Sequence, residues 1–135
     1  MVEMNVVYEG QLRCKATHGP SKMVISTDAP KDNQGKGDSF SPTDLVATAL
    51  GACMMTIMGI YAQRQNIDLT GSTVRVTKEM VTAPVRRIGK LTVQFDIKGK
   101  IDADHRKAFE NAAHTCPVHK SLHPDVLVET TFNWA

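Results

Sequence analysis

Ser41-Pro-Thr-Asp-Leu-Val-Ala-Thr-Ala-Leu-Gly-Ala-Cys-Met-Met-Thr-Ile-Met-Gly-Ile-Tyr-Ala62 is the stretch whose reading decides the fold. Its first residues open a helix by several rules at once. Ser41 can cap, Pro42 fits the first helical position, and Asp44 stands where a capping box puts its acid, with Asp in place of the usual Glu. From Leu45 to Gln63 no residue is charged. The segment is apolar around its whole circumference, which makes it a membrane span or the buried centre of a larger core. Frequent Gly, Ala and Thr, with strand-like sequence on either side, favour the core of a soluble protein with no membrane partner.

Upstream of this helix, Met4–Glu9, Gln11–Thr17 and Met23–Thr27 read as short strands, with Gly10 between the first two. A long polar loop, Ala29–Ser41, follows; a loop of that length inside a compact domain is functional or mobile. Downstream, Thr73–Val81 partly alternates and Leu91–Lys98 alternates strictly between apolar and polar residues, as strands with one wet face do. Pro84 and Arg86-Arg87-Ile88-Gly89 supply a long turn between them. Asp102 caps a second helix, about Ala103–Thr115, with Ala108, Phe109, Ala112, Ala113 and Cys116 on one stripe. Pro117 starts a short helical turn, Pro124 stops it, and Val126–Trp134 is a final strand. The order βββ-α-ββ-α-β predicts an α+β fold with a mainly antiparallel sheet around a long buried helix.

The 135 residues suit one domain, 1–135, with 41% hydrophobic and 22% charged residues. Net charge is only +2, and no basic run exceeds Arg86-Arg87, so the footprint of a nucleic-acid binder is absent. Three cysteines are too few for a secreted disulfide scaffold, and Met1–Tyr8 carries no signal-peptide pattern. A reducing cytoplasm is the expected compartment. One small sheet and a short second helix cannot cover the whole Leu45–Ala62 segment, so a homodimer built around this helix is expected.

Three thiols are candidates for chemistry. Cys53 lies well inside the helix and can be a small core hydrophobe. If it reacts, it needs a cation from elsewhere in the fold, because the helix dipole fades beyond the first turn. Cys116 stands at the start of a Pro-initiated turn with His114, His119 and Lys120 nearby, all of which favour thiolate; otherwise it simply ends the apolar stripe of the second helix. Cys14, between Arg13 and Lys15 in a strand, reads as incidental. His114, Cys116, His119 and His123 invite a metal reading, yet no second Cys pair or His-Glu-x-x-His supports one, and Pro117 and Pro124 break the helix that would align them. No phosphate-binding pattern is present, and no metal or cofactor is expected.

Ser41-Pro-Thr-Asp-Leu-Val-Ala-Thr-Ala-Leu-Gly-Ala-Cys53, followed further along by Cys116-Pro-Val-His-Lys-Ser-Leu122, resembles the OsmC/Ohr family, and the resemblance covers nearly the whole chain. It implies an OsmC-like fold and an intertwined homodimer with two thiol sites at the interface that reduce peroxides, preferably organic hydroperoxides. It also implies that Cys53 is the peroxidatic nucleophile, that Cys116 is the resolving partner, and that a dithiol, lipoyl in Ohr-like relatives, is the reductant. The Ohr branch carries Asn-Pro-Glu before the helix, its carboxylate holding an activating arginine. Here the matching residues are Ser41-Pro42-Thr43, with Asp44 one position on. Loop 29–40 offers Lys31 and Lys36 but no arginine, and Arg13 is the sole arginine before the helix. Arg13 and Asp44 are therefore the possible activating residues of a divergent, OsmC-like member. The alternative is the same dimer with an apolar pocket for a small acyl or aromatic ligand and non-peroxidatic thiols.

Overall fold

The computed structural model describes residues 1–135 and resolves into two compact units, Met1–Val46 and Ala47–Ala135. The first unit is an antiparallel meander of β1 (Met4–Gly10), β2 (Arg13–His18) and β3 (Val24–Asp28), in that order. The β1–β2 turn is built on three consecutive positive-φ residues, Gly10, Gln11 and Leu12. Glycine adopts this conformation without strain, whereas Gln11 and Leu12 must be held in it. That turn explains why β2 begins at Arg13 rather than at Gln11. Loop 29–41 is pinned back onto the meander. Ala29 N–H donates to the Leu12 carbonyl at 3.1 Å, and Lys36 Nζ to Gln11 Oε1 at 2.9 Å.

Helix α1 spans Pro42–Arg64, and its first turn closes this unit. The capping box is present. Asp44 N–H donates to Ser41 Oγ at 3.1 Å, and the Ser41 N–H donates back to Asp44 Oδ2 at 2.9 Å. The two bonds satisfy amides that a helix start leaves without intrahelical partners.

In the second unit, one stripe of α1 is buried: Ala47, Leu50, Gly51, Met54, Met58 and Ala62. The helix is long and apolar enough to cross a membrane, but the complete burial of Leu50, Met54 and Met58 is the packing of a core helix. Gly51 sets the approach to the sheet. A Cβ built there would lie 2.6 Å from Val76 Cγ2, so only glycine fits without a shift. The opposite side of α1, with Ala49, Ala52, Thr56 and Ile60, is exposed. The all-round apolar pattern is thus covered along a single stripe.

The sheet of this unit has the order β4 (Thr73–Val81), β5 (Arg87–Ile97), β6 (Leu127–Trp134). β4 and β5 pair antiparallel across a bulge at Glu79/Met80, and Arg87-Ile88-Gly89 belong to β5 rather than to the turn. β5 and β6 pair in parallel. A parallel pair requires a crossover, and helices α2 (Ala103–Ala113) and α3 (Pro117–Ser121) make it. The strict alternation of β5 is realised: Leu91, Val93 and Phe95 are fully buried and Ile97 nearly so. Phe95 stacks on Phe132 at 4.6 Å, and Phe109 of α2 meets Tyr61 of α1 edge-on at 4.9 Å. Such pairs contribute about 0.5–1.5 kcal/mol beyond the area they bury. Asp102 caps α2 as expected, accepting from His105 N–H at 2.9 Å. The single sheet suggested by the strand count is two three-stranded sheets, antiparallel except for β5–β6.

Candidate dithiol site

Two elements bring a thiol each to one place. Cys53 comes from the middle of α1, half-buried one residue before Met54. Cys116 comes from the junction of α2 and α3 and is fully buried. The local sequence explains its conformation. α2 ends after Ala113, and Pro117 occupies the first turn of α3, which leaves Cys116 extended as the N-cap. Its sulfur accepts a hydrogen bond from His119 N–H at 3.3 Å, as a capping hydroxyl would.

The two side chains are neighbours, close enough for Cys53 to act on the ionisation of Cys116. Burial pushes the Cys116 thiol above its ordinary pKa. The neighbouring Cys53 pushes the same way, opposed by the His119 amide. Of the two readings of Cys116, burial at the end of the α2 stripe fits the structure, and desolvation of the buried sulfur outweighs the thiolate-favouring pull of its neighbours.

The histidines near Cys116 are engaged within the fold. His114 contacts the Glu110 carbonyl through Nδ1 at 2.7 Å and Thr130 Oγ1 through Nε2 at 3.1 Å. His119 Nδ1 lies 3.3 Å from the His114 carbonyl, and His123 Nδ1 accepts from Asp125 N–H at 3.0 Å. No three metal-binding side chains converge.

Arg13, Cys14 and Asp44 belong to the N-terminal unit. Asp44 serves the capping box of α1. Cys14 is partly buried in β2, opposite Tyr8 and Thr27. Arg13 carries a contact that the sequence reading missed. Its Nε lies 2.8 Å from Oδ1 of Asp28, a carboxylate 1% exposed. Neither atom has an aligned hydrogen bond, so the contact is an ion pair with its N–H off the axis. Arg13 and Asp28 face each other directly in the β2–β3 register. Opposite charges at paired positions of a hairpin are the signal that could have revealed the pair.

A thiol pair between a long core helix and a Cys-Pro helical turn, in the unit that holds the β4–β5–β6 sheet, marks the chain as an α+β protein with two neighbouring thiols. Residues 35–131 match the family described as OsmC-like protein, and the chain belongs to that family. Curated protein sequences yield no match. Among solved structures, a candidate osmotic-stress-induced and detoxification response protein from Psychrobacter arcticus is 46% identical, with a TM-score of 0.94, covering 98% of this chain and 96% of that one. The organic hydroperoxide resistance protein OsmC from Legionella pneumophila shares the fold at 17% identity and a TM-score of 0.79, over 98% and 96% of the two chains. OhrB, the organic hydroperoxide resistance protein of Bacillus subtilis, does so at 20% identity and 0.70, over 98% of each. The OsmC-like α+β fold is thereby established, within a family that includes organic hydroperoxide resistance proteins.

Proposed function

We propose that this chain is a thiol-dependent hydroperoxide reductase with Cys53 as the peroxidatic and Cys116 as the resolving cysteine. The observation that carries the reading is the pairing of the two thiols, a half-buried Cys53 on α1 beside a fully buried Cys116 whose pKa it helps to raise. The Cys53 thiolate attacks the terminal oxygen of a hydroperoxide, the O–O bond breaks, and the departing alkoxide takes a proton to leave as an alcohol. Cys53 is then a sulfenic acid. Cys116 loses its proton as its sulfur attacks Cys53, the S–O bond breaks, water leaves, and a disulfide closes. An external dithiol returns both thiols by exchange, its own sulfurs ending as a disulfide.

Arg13 is the cation proposed for Cys53, since a thiolate deep in α1 gains little from the helix dipole. The working form is proposed to be a homodimer in a reducing cytoplasm. The uncovered apolar side of α1 supports this, as does the meander, where Val6, Val7 and Tyr8 are each at least 60% exposed. The test is turnover of cumene hydroperoxide against hydrogen peroxide with a dithiol reductant. The reading expects faster consumption of the organic substrate. No reaction with either would overturn it.

A further inference from the structure

Cys116 stands in a short junction: α2 ends at Ala113 and α3 begins at Pro117. Its backbone is extended there, with φ −62° and ψ 140°, and two histidines bracket it. His114 closes α2 as its C-cap, and its ring reaches in two directions. Nδ1 meets the Glu110 carbonyl at 2.7 Å, and Nε2 meets Thr130 Oγ1 at 3.1 Å. A carbonyl can only accept, so Nδ1 carries the proton and the neutral ring accepts from the Thr130 hydroxyl through Nε2. Thr130 lies on β6 opposite Val93, which is fully buried in the middle of β5. The His114 carbonyl in turn faces His119 Nδ1 at 3.3 Å, and the His119 amide donates to the Cys116 sulfur at 3.3 Å. A ring of contacts thus closes around Cys116, and its polar link to the sheet is the His114–Thr130 bond. All these residues belong to the unit Ala47–Ala135, as does Cys53.

We propose that His114 is a positioning residue for Cys116, aiming the resolving sulfur at Cys53 through its bond to Thr130. The inference rests on the reading that the two thiols close a disulfide. In that step the Cys116 sulfur bonds to Cys53 and the S–O bond of the Cys53 sulfenic acid breaks. The hydroxyl leaves with the Cys116 proton as water, the hydroperoxide having been the oxidant. A disulfide bond of about 2.05 Å is shorter than any approach of unbonded sulfurs, so one thiol must travel. Cys53 is fixed inside α1 beside the fully buried Met54, and the travel falls to the junction that carries Cys116. Held to β6, that junction presents its sulfur in one orientation. Released, it samples several, and the sulfenic acid waits long enough to meet a second peroxide. The first oxidation leaves Cys116 untouched and does not depend on the bond.

His114→Asn is too short to span to Thr130, whereas His114→Gln is long enough. Reduced protein mixed with one equivalent of cumene hydroperoxide, quenched at intervals and read by mass spectrometry, follows both steps. In His114→Asn, disulfide closure should slow by between about tenfold and about a hundredfold, the scale of a misplaced reacting group. Sulfenic acid should form at the wild-type rate, and excess peroxide should carry Cys53 on to sulfinic acid. His114→Gln should recover most of the closure rate. Thr130→Val should match His114→Asn, and the two together should add nothing further. Wild-type closure in both His114→Asn and Thr130→Val would overturn the inference. Equal slowing of both steps would overturn it too, since that is a general loss of structure. If His114→Asn does not fold, Thr130→Val alone decides by the same criteria. A wild-type protein that forms no disulfide would remove the peroxidase reading itself, and this inference with it.

Discussion

Cys116 neighbours Cys53 closely enough for Cys53 to act on its ionisation, which brings the N-cap of a five-residue helix to the middle of a 23-residue one. The contact gives the thiols different jobs before any substrate arrives. Cys116 is buried, accepts from the His119 amide and has its pKa raised, while Cys53 sits half-buried at the edge of the core.

The roles separate by substitution. Cys53→Ser should lose all turnover, because a serine hydroxyl is not ionised near neutral pH. Cys116→Ser should consume about one equivalent of peroxide and then stall as a sulfenic acid open to over-oxidation. Cys14→Ser should be nearly silent. Multiple turnovers in Cys53→Ser, followed by peroxide-consumption assay, would reverse the assignment.

Gly51→Ala tests the approach of α1 to β4. Alanine normally stabilises a helix interior by up to about 1 kcal/mol relative to glycine. Here the added methyl meets Val76 Cγ2 at 2.6 Å, on a branched side chain with little freedom to yield. A net loss of about 1–3 kcal/mol in denaturant unfolding is expected, partly recovered by Val76→Ala. A stabilised Gly51→Ala would show that the helix can stand off the sheet at no cost.

The pH dependence of stability follows from Cys116. Its pKa is raised in the folded state, so the unfolded chain ionises this thiol first as pH rises. The stabilisation is complete below the ordinary thiol pKa of about 8.5 and is lost as pH climbs from there through the folded value. Reduced protein should therefore weaken in alkaline solution, and Cys116→Ser should weaken less over the same range. Equal slopes in thermal melts of the two would contradict the direction of the shift.

Self-association should accompany folding. Leaving the exposed side of α1 and both faces of β1 in water forgoes roughly 1.5–3 kcal/mol for each large apolar side chain that a partner could bury. Light scattering should give a dimer mass at micromolar concentration. A folded monomer there would defeat the expectation.

What the sequence discloses here is what local chemistry decides. The Ser41–Asp44 capping box, the Asp102 cap, the alternation of Leu91–Ile97 and the Pro117 turn at Cys116 all appear as read. Each is settled within a few residues. What was not legible depends on distant partners. Gln11 and Leu12 give no sign of positive φ, since the turn that forces it is held by the loop bonded to Leu12. The Arg13–Asp28 pair requires the β2–β3 register. The choice between the two readings of Cys116 was not legible because burial is decided by packing around the thiol, while the neighbouring cations are counted along the chain.

The most direct measurement is peptide mapping by mass spectrometry after one equivalent of cumene hydroperoxide is added to fully reduced wild-type protein, with free thiols alkylated beforehand in a control. The account predicts a Cys53–Cys116 disulfide as the main product, Cys14 left free, and full reversal by a dithiol. Oxidation confined to Cys14, or a disulfide that omits either Cys53 or Cys116, would contradict it.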